Sequence, residues 1–165
     1  MSLPPRGPFD PDDVVWNPVS TRLASARLVV AWIIVLVALV PTIVLGFAVG
    51  AVWSWIPAVV VLLAAVWVTL LIPRQVRAIG YAERADDLLV RRGIMLRRLV
   101  VVPYGRMQYV DVQAGPIARR FGVASVQLHT ASVATEASIP GLRPDEADRL
   151  RDQLASRGEA RLAGL

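Results

Sequence analysis

The sequence predicts a membrane α-helical hairpin followed by a mainly-β domain that ends in one α-helix. Three observations lead to this fold class. Residues 28–73 contain no charged residue and no histidine, and the segments after them alternate between apolar and polar residues. The last part of the chain instead repeats its apolar residues at helical spacing. Because the chain has 165 residues, only one small domain can follow the apolar stretch.

The uncharged stretch is long enough to cross a bilayer twice, since about 20 apolar residues span the hydrocarbon core. We expect transmembrane helices at residues 28–49 and 54–72, joined by a tight turn without charge. Residues 1–27, rich in Pro and Asp as far as Pro18, are expected to form a flexible cytoplasmic segment. A secretory signal peptide is the competing interpretation, but the segment before the apolar stretch is too long for one.

Arginines flank both predicted spans, with Arg22 and Arg27 before the first and Arg74 and Arg77 after the second. By the positive-inside rule, both termini are expected in the cytoplasm and the protein in the plasma (inner) membrane. The 18 basic residues, all arginine, outnumber 13 acidic residues, and the excess lies after residue 73. A basic excess beside a bilayer favours anionic lipid headgroups as partners and disfavours nucleic acid.

Residues 74–157 are expected to form one cytoplasmic domain of five or six antiparallel strands, with residues 158–165 as a tail. Within residues 123–130, Ala124, Val126 and Leu128 alternate with polar side chains, which is the pattern of a half-buried strand. Similar patterns, bounded by turn residues, predict the other strands at residues 80–84, 88–91, 94–102, 107–113 and 136–139.

The final element is expected to be a helix that begins at Pro144 and ends at Arg157 and Gly158. Acidic residues follow Pro144 and favour a helix N-terminus. One apolar stripe runs along this helix, formed by Ala147, Leu150 and Leu154. In so small a domain, we expect the helix to plug the open end of a curved sheet.

Four short strings follow the predicted hairpin in order: DLLVRRG at residues 87–93, VPYGRMQ at 102–108, GPIARRFG at 115–122 and IPGL at 139–142. Together they resemble the bacterial pleckstrin-homology (PH) domain of YdbS-like membrane proteins, over roughly residues 14 to 157. The resemblance implies a PH-like barrel and membrane anchoring, without a settled activity. Eukaryotic PH domains that bind inositol phosphates have a basic loop between their first two strands. The corresponding corner here, Ala85-Asp86-Asp87, is acidic, which disfavours phosphoinositide binding at that place.

Catalysis is not expected, because the residue types that enzymes need do not occur in the required patterns. The chain has no cysteine, and its single histidine, His129, is expected on the polar face of a strand as a surface residue. No His, Asp and Glu residues occur at metal-ligand spacing, and no phosphate-binding glycine loop is present. We therefore expect no enzyme activity, no metal and no cofactor.

Pairs of adjacent arginines are the most informative polar feature. They are Arg91/Arg92, Arg97/Arg98 and Arg119/Arg120. Because adjacent strand residues point to opposite faces, a pair on a strand is not expected to act on one surface. We expect solvated side chains at Arg97 and Arg98, and we expect Arg119 or Arg120 to pack on Phe121 or pair with an acid.

Two functional hypotheses follow. Residues 99–102 are apolar on both faces, which indicates a strand covered on both sides or one that faces a membrane or a partner. The first hypothesis is accordingly a non-enzymatic interaction or assembly module, in which Leu99 and Val101 contact a membrane-protein partner or a second copy of the chain. The alternative is an anionic-lipid-sensing domain at the inner leaflet, which would use arginines. Its candidate contacts are Arg97, Arg98, Arg119 and Arg120.

Overall fold

The computed structural model describes residues 14–130 and 137–162, and it contains two long helices, two antiparallel sheets and a C-terminal helix. Helix α1 spans Arg22–Val49 and helix α2 spans Ile56–Arg77. A left-handed Gly50 and a short 3₁₀ turn, Val52–Trp55, connect the two helices. Both helices are long and apolar enough to cross a membrane.

The two helices extend beyond the spans predicted from hydropathy. Helix α1 begins at Arg22 and not at residue 28, and α2 continues to Arg77 and not to residue 72. Arginine is a good helix former. Its charge keeps it out of the hydrocarbon core, but it can still be part of the helix. The helices therefore continue out of the apolar layer into the domain.

The first sheet has four strands in the order β1–β2–β3–β4, and the second has three in the order β5–β6–β7. In the first sheet the strands are Asn17–Pro18, Gly80–Glu83, Asp87–Arg92 and Arg98–Pro103. In the second they are Met107–Gln113, Ala124–Thr130 and Ala137–Leu142. A short helix, α3 (Pro116–Arg120), joins β5 to β6, and α4 (Pro144–Leu162) follows β7. The predicted architecture, a helical hairpin before a mainly-β domain with one C-terminal helix, is confirmed.

One hydrophobic core joins both sheets, α4 and the membrane helices. The predicted stripe on α4 is fully buried in it, with Leu150 and Leu154 completely inaccessible to solvent. Leu23 from α1 and Val76 from α2 belong to the same core. The helices and the domain therefore fold as one packed unit and not as two bodies on a flexible linker.

Residues 14–27 do not form the loose segment that the sequence predicts. Asn17 and Pro18 pair with β2, and Val14 and Val19 are buried. These apolar side chains gain more by covering the sheet than by staying in water, although the Pro- and Asp-rich composition suggested otherwise. Residues 1–13, the remainder of the expected flexible segment, lie outside the described residues.

Strand β4 begins at Arg98, so the prediction of a strand from residue 94 is wrong for its first half. Gly93 has φ of +101°, and a Cβ at this position would lie 2.0 Å from the carbonyl oxygen of Leu96. Only glycine allows this tight hairpin turn. Residues 94–96 form the end of the hairpin and do not lie in a sheet.

Helix α4 does not end at Arg157 and Gly158 but continues to Leu162. Gly158 is buried inside the helix, where a Cβ would lie 3.7 Å from the carbonyl oxygen of Tyr104. A glycine weakens a helix by about 1 kcal/mol relative to alanine but does not by itself end it. The predicted tail, residues 158–165, is thus helical as far as Leu162, and residues 163–165 lie outside the described residues. Glu136, the first residue of a predicted strand, also lies outside them.

Candidate functional site

A cleft of about 330 Å³ lies where the end of α2 meets the β3–β4 hairpin. Arginines from all three elements line it, and we refer to it as the arginine cleft. They are Arg74, Arg77, Arg91, Arg92, Arg97 and Arg98. The fold brings these arginines together. Only two residues separate α2 from β2, and β2 is hydrogen-bonded to β3.

The local positions of these arginines have different physical origins. Arg74 and Arg77 occupy the last turn of α2, where the helix dipole favours positive charge. Arg92 on β3 lies directly opposite Arg98 on β4. Like charges facing each other across an antiparallel pair are unfavourable, so this hairpin end favours an anion nearby.

Acidic residues pair with some of the arginines that lie outside the cleft. Glu83 lies 3.2 Å from Arg149 and 3.8 Å from Arg157, measured between nitrogen and oxygen atoms. Among the residues that the structure describes, no carboxylate lines the arginine cleft. Within residues 14–130 and 137–162, five of its arginines form no ion pair, namely Arg74, Arg77, Arg92, Arg97 and Arg98. The cleft therefore brings together five arginines that no acidic residue neutralises within the described part of the chain.

A second cavity of about 470 Å³ adjoins the arginine cleft and is more apolar; we call it the lateral cavity. The two share the hairpin residues Arg92, Gly93 and Ile94. Trp67 and Leu71 of α2 also line the lateral cavity. A cationic cleft and an apolar cavity thus meet at the end of one hairpin, next to a membrane helix.

The structure brings together only part of the predicted arginine set. Arg97 and Arg98 line the same cleft, so the expectation that an adjacent pair cannot act on one surface is wrong here. Arg97 precedes the strand, and strand alternation does not apply to it. Arg119 and Arg120 lie on α3, outside the cleft. Arg119 donates a hydrogen bond from Nε to the carbonyl oxygen of Ala114 at 2.8 Å, and among the described residues neither arginine pairs with an acid.

The two apolar candidates have different environments. Leu99 is half-buried and packs against a small cluster that contains Val14 and Leu89, so the N-terminal segment covers that face of the sheet. Val101, also on β4, is 41% exposed. The two-sided apolar pattern of residues 99–102 is therefore explained in part by a contact within the chain.

His129 is half-buried, and its ring stacks on that of Tyr109 with 4.3 Å between centroids. Among the described residues, no three of His, Asp and Glu come together in a way that could hold a metal ion.

A hydrogen bond from the Tyr81 hydroxyl to Glu146 Oε1, at 2.5 Å, connects β2 to α4. Burial and this bond raise the pKa of Tyr81 above its usual value.

Sequence reasoning missed four of the arginines that form the cleft: Arg74, Arg77, Arg91 and Arg92. The available signal was two Arg pairs separated by a short apolar turn that begins with Gly93, because a hairpin brings such flanking pairs together. The structure also separates the cleft from the acidic corner at Asp86 and Asp87, which lies between β2 and β3. The acidic corner therefore does not disfavour anion binding in the arginine cleft, which lies at the β3–β4 hairpin.

Comparisons with known proteins agree with this architecture. A family model described as bacterial PH domain matches residues 20–158. The chain is 35% identical over 107 residues to the UPF0699 transmembrane protein YdbS of Bacillus subtilis (strain 168). That match covers 64% of this chain and 61% of the relative. No solved structure is significantly similar to the chain.

Proposed function

Since the chain belongs to the bacterial PH domain family and carries two membrane helices, we propose that its arginine cleft recognises the anionic headgroup of a membrane phospholipid. The observation that carries this proposal is the convergence of Arg74, Arg77, Arg92, Arg97 and Arg98, none of which forms an ion pair within the described residues. A phosphate group accepts hydrogen bonds from several guanidinium groups at once, which matches the donors that converge here. The protein would act as a non-enzymatic lipid-recognition module.

The position of the cleft favours a lipid over a soluble phosphate. Arg74 and Arg77 directly follow the apolar part of α2, so a helix that crosses the bilayer holds them at the level of the headgroups. The flanking arginines of both helices favour a topology with two crossings, both termini in the cytoplasm and the domain at the inner leaflet of the plasma membrane. Each arginine near an anionic surface contributes about 1 kcal/mol of attraction.

The experiment measures lipid preference with the full chain in detergent by native mass spectrometry, using phosphatidylglycerol and phosphatidylcholine as probes. The double variant R92Q/R98Q removes two facing charges from the cleft. R119Q/R120Q, on α3, is the matched control with the same loss of charge. If two arginines contribute about 2 kcal/mol, the cleft variant should lose the phosphatidylglycerol preference by roughly tenfold or more.

The control variant should keep most of the preference of the unsubstituted chain. Equal preference in R92Q/R98Q and the unsubstituted chain would contradict headgroup binding in the cleft. An equal loss in both variants would indicate attraction by net charge alone and would also contradict it.

A second candidate function, a protein-interaction module, is favoured by Val101. This side chain is exposed on β4, which is an edge strand of its sheet within the described residues. An edge strand has unpaired backbone groups that another chain can use. V101D should then remove a co-purifying protein from native membranes while the phosphatidylglycerol preference is unchanged. Retention of every partner by V101D would count against this candidate.

A further inference from the structure

The end of the β3–β4 hairpin has an exposed apolar surface. Residues 94–96, which we call the apolar tip, are Ile94, Met95 and Leu96. Their exposed fractions are 38%, 94% and 90%. Outside the two long helices, no other run of three consecutive large apolar side chains is exposed in the part of the chain that the structure describes. Such a run is unfavourable in water and indicates a contact with an apolar partner.

The position of the tip beside α2 indicates this partner. The tip lines the lateral cavity, which extends along α2 from Gln75 to Trp67. Trp67 lies two helical turns before Arg74, which corresponds to roughly 10 Å along the helix axis towards the membrane. With Arg74 at the level of the headgroups, the tip lies beside the part of α2 that enters the apolar layer.

We infer that the apolar tip inserts into the acyl-chain region of the leaflet next to α2, as a third membrane contact besides the two helices. The contact is continuous with the lipid-facing surface of α2, where Trp67 is 66% and Leu70 is 58% exposed. Lipid acyl chains also enter the part of the lateral cavity that the tip, Trp67 and Leu71 line, whereas Arg27, Gln75 and Arg92 are among the residues that line the rest of it.

The residues on either side of the tip limit the depth of insertion. Arg92 precedes Gly93, and Arg97 and Arg98 follow Leu96, so charged groups bracket the apolar residues. Long arginine side chains reach back towards the headgroups while their stems remain in the apolar layer. Only residues 94–96 therefore enter the acyl-chain region, and their insertion holds the neighbouring arginines at the level of the phosphates. This inference rests on the proposed crossing of the membrane by α2, and it does not require headgroup recognition by the cleft.

The experiment uses the absence of cysteine from the chain. Single-cysteine variants of the full chain carry a nitroxide label in nanodiscs of phosphatidylcholine alone, and electron paramagnetic resonance measures their accessibility to oxygen and to a polar nickel complex. The test position is M95C. L63C on the lipid-facing side of α2 and S156C on the exposed surface of α4 are the membrane and water references. All three replace exposed side chains, so folding is retained.

Oxygen concentrates in hydrocarbon, and the polar complex is excluded from it. We expect M95C to show an oxygen-to-nickel ratio well above that of S156C and below that of L63C, because the tip enters only the outer part of the acyl-chain region. A ratio at M95C equal to that at S156C would overturn the inference. Because no anionic lipid is present, a failure of headgroup recognition leaves this result unchanged, and the two proposals fail separately.

Discussion

The guanidinium carbon of Arg91 lies 4.3 Å from the centroid of the Trp16 ring. A cation–π contact of this kind connects the N-terminal segment, which pairs with β2, to an arginine that lines the cleft. Trp16 also packs against the cluster formed by Val14, Ala82 and Leu89. The segment before the first helix is therefore part of the site's support.

Replacing Trp16 with leucine should weaken lipid preference without unfolding the domain. W16L keeps an apolar side chain against the cluster but removes the ring under Arg91. A cation–π contact contributes about 0.5–2 kcal/mol, so the phosphatidylglycerol preference should fall by a factor of about two to thirty. Native mass spectrometry of the full chain measures this change. W53L, at the exposed turn between the helices, is the control, and an equal preference in W16L and W53L would contradict a supporting role for Trp16.

Leu99 and Val101 should respond differently to a charge, although both belong to the apolar run of β4. L99D places a carboxylate against Val14 and Leu89, which should destabilise the domain by about 2 kcal/mol or more. V101D adds a charge to a side chain that is 41% exposed and should change stability by only about 0.5 kcal/mol. Thermal unfolding of the full chain in detergent measures both. Equal midpoints for the two variants would show that the N-terminal segment does not cover Leu99.

Gly141 should not tolerate alanine. Its φ is +78°, and a Cβ there would lie 2.8 Å from Leu23 Cβ on α1. Left-handed strain and overpacking together should cost about 2–3 kcal/mol. Gly115 is the control, because its φ is −66° and a Cβ would meet nothing within 4 Å. If G141A unfolds at the same temperature as G115A, the close contact between α1 and β7 is not required for stability.

The domain should lose stability at alkaline pH through Tyr81. Burial first, and then the hydrogen bond and charge of Glu146, raise the pKa of this phenol above its value in the unfolded chain. The folded state therefore binds the proton more tightly, and the stabilisation is complete below about pH 10 and lost progressively above it. Unfolding temperatures measured between about pH 8 and about pH 11 should decrease once the pH exceeds about 10. Y81F should flatten the fall and Y104F should retain the Tyr81 contribution, whereas an identical profile for Y81F and the unsubstituted chain would contradict this assignment.

Sequence patterns predict the elements of this fold better than they predict the site. Alternation identifies β6, and helical spacing identifies the stripe of α4, because both patterns follow directly from which face is buried. The arginine cleft depends instead on where α2 ends relative to the β3–β4 hairpin, and no local pattern records that distance. Arg97 illustrates the difference, since its place in the cleft follows from the hairpin end at residues 94–97, which the pattern assigned to a strand. Likewise, the burial of Val14 depends on β2 and β3, far along the chain.

The junction between α2 and the first sheet is very short. Only Ala78 and Ile79 separate Arg77 from β2, and Val76 and Ile79 are both buried. On the other side, the backbone nitrogen of Ser20 donates to the carbonyl oxygen of Gly141 at 2.8 Å, just before α1 begins. Because of these two stiff attachments, the domain cannot rotate independently of the two helices. A change in the tilt of the helices, such as one imposed by a thinner or thicker bilayer, therefore rotates the whole domain and alters its angle to the lipid surface.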